Sequence, residues 1–257
     1  PGTGTNLSNY QGTADRSDSL NNATSPDTAM ISWMGGDFPD GAEAGSARHT
    51  QNLAPLLSGF SDALSQELDT QDATGAETTY IGHSYGGAIV GMAEVYGLDA
   101  DRVVHVESAG MGHDVFAPDD LPASQADVDR YSMTTPQDWI SHVQGAQEIE
   151  GALPDWAQDL EPGHGADPDE FPGTVRLHTG DSAAGVPMSG PGSHSAVFEE
   201  RSDSWEQIRQ VVTGGTVEEY RTPIYREPPL TRWGLPNIDR GVTGWNDDGG
   251  THDVGGG

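Results

Sequence analysis

The sequence predicts an α/β protein: a mostly parallel sheet covered by helices. Three observations predict it. Short apolar runs alternate with helical periods from residue 29 to 213. One of them, RVVHV from Arg102, has the near-continuous apolar character of a strand buried on both faces. The stretch YIGHSYGGAIV reads as a strand, a tight glycine turn and a helix in immediate succession.

Taken in order, residues 29–35 (AMISWMG) are the first expected strand, stopped by turn-rich GGDFPDGAEAG. In the following segment Leu53, Leu56, Leu57, Phe60, Leu64 and Leu68 recur at helical spacing and predict one apolar stripe, with Pro55 in or near the first turn. Residues 77–82 (ETTYIG) are a strand, and the small-residue run after them is a helix ending at Gly97. RVVHVESAG, DRYSMTT and TVRLHTG are further strands. SWEQIRQVVTG is a closing helix with Trp205, Ile208, Val211 and Val212 on one side. Strand and helix in this rhythm place helices on both faces of a parallel sheet. Residues 137–172 form a long Pro-, Gly- and Asp-rich connection of the kind that is usually functional. The domain is read as residues 1–214, and residues 215–257 as a Pro/Gly-rich arm whose tryptophans and tyrosines lie along a surface.

Composition narrows function. The formal net charge is −30, from 41 acidic residues against 11 basic ones, and every basic residue is arginine. Such a surface repels nucleic acid and anionic membranes. No calcium-binding loop pattern appears, so the acidity reads as a solvated surface. Cysteine is absent, which excludes disulfides and thiolate metal sites. No cofactor or metal is called for.

Gly82-His83-Ser84-Tyr85-Gly86 fits G-x-S-x-G, with a β-prone run before it and a helix-prone run after it. That context lifts a serine hydroxyl to the N-terminus of a helix, where a nucleophile is exposed and an anion is favoured. The bland alternative is an ordinary glycine-rich βα turn. A serine nucleophile needs a base, and nine histidines are available. His194, in GPGSHSAVF between the last strand and the closing helix, is the base by position, with His164 in EPGHGADPDEF as its rival. The acid that orients it is Asp138, directly after one strand, or Asp181, directly after the next. An oxyanion would be held by the Tyr85 backbone N–H and by Thr3, Gly4 or Thr5 of PGTGT. A phosphate loop is the competing reading of PGTGT, but that motif ends in Gly-Lys and this chain has no lysine.

PGTGTNLSNYQGTADRSDSL, ISWMGGDFP, GHSYGG, an Asp-Trp-Ile segment, HGADPDEFPG and HSAVF occur here in one order. Together they resemble a family of actinobacterial α/β-hydrolases, over residues 1–214. The resemblance implies an α/β-hydrolase fold, Ser84 as nucleophile, His194 as base and Asp138 as acid. Family members often carry Asp-Pro-Ile where this chain has Asp138-Trp139-Ile140. A hydrolase of small-molecule or lipid carboxylic esters is the expected function. A catalytically silent hydrolase fold serving as an interaction module is the alternative. PGTGT further reads as a loop cut from its strand at a processed end. A segment upstream of Pro1 is then expected to pair into the sheet beside residues 29–35 or 77–82.

Overall fold

A computed structural model describes residues 1–138, 140, 163–226 and 241–255. The chain divides into two compact units, one of Pro1–Thr134 with Ile140–Val175 and one of Thr135–Trp139 with Arg176–Gly257. The division differs from the boundary at 214 drawn from composition, because residues after 214 pack with the segment that precedes them.

The first unit carries the sheet. Helix α1 (Gln11–Asn22) comes first, then α2 (Arg48–Thr70), β1 (Thr79–His83), α3 (Tyr85–Val95), β2 (Arg102–Val106) and β3 (Asp129–Met133). Strand β1 pairs in parallel with β2, and β2 with β3, in continuous register from Thr79–Arg102–Asp129 to His83–Val106–Met133. Strand β4 (Thr174–Arg176) is next to β3, giving the order β1-β2-β3-β4. Every residue of β2 is buried, as its apolar run predicts. The expected parallel sheet with covering helices is present.

Helix α3 is buried on nearly every side, which explains its small and apolar composition. Its Ile89, Val90 and Ala93 pack with Leu53, Ala54 and Leu57 of α2, with Phe38 and with Val103. The buried stripe of α2 differs from the predicted one. Thr50, Leu53, Ala54, Leu57, Ser58 and Ser61 are buried, while Leu56 is 54% exposed. The two serines are admitted because they are hydrogen-bonded. Ser58 donates to the Tyr96 carbonyl at 2.9 Å, and Ser61 Oγ accepts the Asp99 N–H at 3.0 Å. Pro55 lies inside α2 rather than in its first turn, on the exposed side. Proline has no N–H to give to the carbonyl one turn earlier.

Residues 29–35 form no strand. Its Ser32 meets Tyr10, which precedes α1, and Ser17 within α1, rather than a ladder. The Tyr10 hydroxyl donates to the Ser32 carbonyl, and Ser32 Oγ donates to Ser17 Oγ at 2.6 Å. Helix α1 itself has no sequence signature, since Leu20 is its one buried residue.

The second unit contains α4 (Ser193–Ala196), α5 (Asp203–Thr213), β5 (Thr216–Glu218), β6 (Pro223–Tyr225), β7 (Val242–Trp245) and β8 (Thr251–Asp253). Ser202 caps α5 by accepting the Trp205 N–H at 3.2 Å, and Gly214 ends it in the left-handed conformation. Of its predicted face, Trp205, Ile208 and Val211 are buried and Val212 is only half-buried, while Ser204 and Gln207 are buried with them. Strand β5 pairs antiparallel with β8, and β6 with β7. The described part of the arm is therefore folded back on its own unit. Val217 and Val254 are buried, and the Arg176 guanidinium stacks 3.7 Å from the Tyr220 ring centre.

Candidate active site

Ser84 sits in the turn between β1 and α3 with φ 56° and ψ −126°. A non-glycine residue at positive φ is strained, and this turn holds it by three backbone hydrogen bonds. The Ser84 N–H donates to the Val106 carbonyl at 3.0 Å. Its carbonyl accepts from Gly87 at 3.0 Å and from Ala109 at 3.1 Å. The flanking glycines are required by close approach. A Cβ on Gly82 would lie 2.5 Å from the Gly86 carbonyl oxygen, and one on Gly87 would lie 2.2 Å from Ser108 Oγ. Ser84 thus stands at the N-terminal end of a buried eleven-residue helix, where unpaired N–H groups and the helix dipole favour an anion.

Tyr85 is the first residue of α3, so its N–H is not consumed by the helix. Its side chain points elsewhere and acts as a strut. The hydroxyl donates to the Ser46 carbonyl at 2.7 Å and accepts the Thr50 N–H at 3.1 Å. The PGTGT loop lies against the elbow, with a Cβ at Gly2 falling 3.0 Å from the Ser84 Cβ. Two backbone bonds fix it to the following segment. Gly4 N–H donates to the Pro39 carbonyl, and the Thr5 carbonyl accepts from Phe38, both at 2.9 Å. These bonds sort the three predicted donors. The N–H of Gly4 is taken by Pro39, and that of Thr5 is taken by the Gly2 carbonyl at 3.1 Å. Thr3, which is exposed, is the remaining donor of that loop.

In the second unit, Asp138 and His194 are brought together. His194 Nδ1 lies 3.2 Å from Asp138 Oδ1. Asp138 is fully buried, and the His194 side chain keeps 14% exposure. The loops that carry them are tied by the Gly190 N–H, which donates to the Pro136 carbonyl at 2.8 Å. A buried carboxylate on Nδ1 fixes the ring orientation and leaves Nε2 as the nitrogen that can take a proton. Trp139, between Asp138 and Ile140, falls outside the described residues.

The two rivals are occupied differently. Asp181 Oδ1 accepts the Trp245 indole N–H at 2.9 Å, which commits that carboxylate to the folded arm. His164 is fully buried, with Nε2 2.8 Å from the Ala44 carbonyl and its ring packed edge-on to Tyr85 at 5.0 Å. Burial lowers its basicity, with the Ala44 bond opposing, so it stays neutral. His164 therefore braces the Tyr85 strut. The HGADPDE motif carried that role without revealing it, because the partner is a backbone carbonyl of a distant alanine.

A family model described as alpha/beta hydrolase matches residues 5–148. No curated protein and no solved structure matches the chain.

Proposed function

Since the chain belongs to the alpha/beta hydrolase family, hydrolysis is the premise, and we propose that it is a serine hydrolase of carboxylic esters. Ser84 Oγ adds to the ester carbonyl carbon and gives its proton to His194 Nε2, while Asp138 holds the imidazole through Nδ1. The Tyr85 and Thr3 N–H groups receive the tetrahedral oxyanion. The intermediate collapses, and the leaving alcohol takes the proton back from the imidazolium. Water then cleaves the acyl-Ser84 ester by the same proton route. Strongly anionic esters are disfavoured by a chain of net charge −30.

The observation that carries this reading is the backbone of Ser84, held at φ 56° where glycine would be easier. Strain of this kind at a helix N-terminus has a use when the side chain must be presented to a substrate. A fluorophosphonate probe tests it. The folded protein should label on Ser84 and hydrolyse p-nitrophenyl esters. Ser84→Ala should abolish labelling and lower the rate by about 10⁴-fold or more, and Asp138→Asn should cost about 10⁴-fold. Folded wild-type protein that neither labels nor turns over would remove the enzyme reading and leave the silent-module one.

A further inference from the structure

The second unit contains a cavity of about 360 Å³ that the proposed reaction does not use. Its walls are His178, Trp245, Gln207, Arg221 and the carboxylates of Asp181, Asp203, Glu206 and Glu218. That volume is in the range of small-molecule sites.

The carboxylates are partly committed. Asp181 Oδ1 accepts from the Trp245 indole at 2.9 Å, and Asp203 Oδ2 accepts the Asp181 N–H at 2.8 Å. Glu218 Oε2 pairs with Arg221 at 3.0 Å, and both oxygens of Glu206 are bound by Arg209. Four carboxylates against these two arginines leave an excess of negative charge. The second oxygens of Asp181, Asp203 and Glu218 have no hydrogen-bond partner among the described residues.

His178 is a second and separate sign of a ligand. It is only 4% exposed, it forms part of the cavity wall, and its Nδ1 has no partner among the described residues. A buried polar atom left unpaired is costly unless something completes it. Its ring packs edge-on to Trp245, with centroids 4.6 Å apart. Burial and the nearby Arg221 lower its basicity, so it adds no positive charge.

We propose that this cavity binds a small organic cation bearing primary ammonium groups, a diamine being the simplest. Ammonium N–H groups match acceptor-only carboxylates and a neutral imidazole nitrogen, and the methylene chain lies along the Trp245 ring. A chelated metal ion fits less well. Among the described residues, the ligand atoms of this cavity do not gather into a chelating group of three. The site is independent of the hydrolase reading.

Calorimetric titration of the full chain with 1,4-diaminobutane, at fixed ionic strength, tests the proposal. One site is expected, weakening as salt rises. Butylamine should bind about tenfold more weakly, and Glu218→Gln should weaken the diamine at least fivefold. The Trp245 indole N–H resonance, assigned by Trp245→Phe, should shift more than the other indole signals during titration of the wild-type chain. This readout stands even if Glu218→Gln fails to fold. Three results would overturn the proposal: no saturable binding, diamine binding with all indole signals unmoved, or Mg²⁺ or Zn²⁺ binding more tightly with the same loss in Glu218→Gln.

Discussion

The turn at Ser84 and the stretch after Gly214 are both glycine-rich, yet one announces its structure in the sequence and the other conceals it. At the turn, Gly82 answers to Gly86 and Gly87, Gly87 to Ser108 just past β2, and Gly86 to the carbonyl of Pro1. Neighbours pass so close that no side chain fits, and the glycines fall in one contiguous motif. After Gly214 the partners are far apart in sequence. Thr216 pairs with Asp253, and Pro223 pairs with Trp245. Short strands closed over such intervals leave no period to read, and glycine then looks like slack when it is in contact. Composition reports flexibility only where nothing else is packed against the chain.

Substitution of the glycines separates these cases. The largest effect is expected at Gly87→Ala. Helix propensity alone predicts a gain of about 0.5–1 kcal/mol. The added Cβ would instead fall 2.2 Å from Ser108 Oγ and 3.0 Å from its Cα. A loss of about 2–4 kcal/mol is expected by urea denaturation. Gly59→Ala, with open space around it in α2, should show the propensity gain undisturbed. Equal effects at the two positions would break the packing account of the turn.

Gly249→Ala is the corresponding test of the folded arm. Its Cβ would lie 2.7 Å from the Glu219 carbonyl and 3.0 Å from that of Tyr220. The expected loss is about 1–3 kcal/mol by the same measurement. A loose arm would show none, and that result would return residues 241–255 to the reading that composition gave them.

The candidate site was legible to the same degree, and for the same reason. Ser84 and Tyr85 could be found because the elbow is a contiguous motif. The 3.2 Å pairing of Asp138 with His194 is one that their positions after strands anticipate, without excluding Asp181. The bond of Asp181 to the Trp245 indole, 64 residues away, has no sequence signal. PGTGT offers three candidate donors, and nothing in its composition shows that the Gly4 and Thr5 N–H groups bond to carbonyls. Helix α1 was invisible because it buries a single leucine. Residues 29–35 looked like a strand because β-propensity reports a half-buried surface, whether or not a ladder partner exists.

The smallest effect expected compares how the two regions hold histidine. His105 in β2 is fully buried, and burial together with the Arg130 guanidinium pushes its imidazole down to about 3, with the Gly87 backbone opposing. His178 in the second unit is lowered as well, by burial and Arg221, against three nearby carboxylates that raise it. In both, the folded state refuses a proton that the unfolded chain accepts below its ordinary value near 6.5. The stabilisation is therefore complete above that value and is lost as pH falls toward the folded pKa. For His105 alone, moving from pH 7.5 to 5.5 should cost about 1.4 kcal/mol. His105→Leu should recover that amount relative to wild type in urea denaturation at the two pH values, because the other titrating groups are common to both proteins. His178→Leu should recover less, since carboxylates face His178 and none contributes at His105. Equal recovery would mean that the acidic cavity does not hold its histidine differently from the apolar strand.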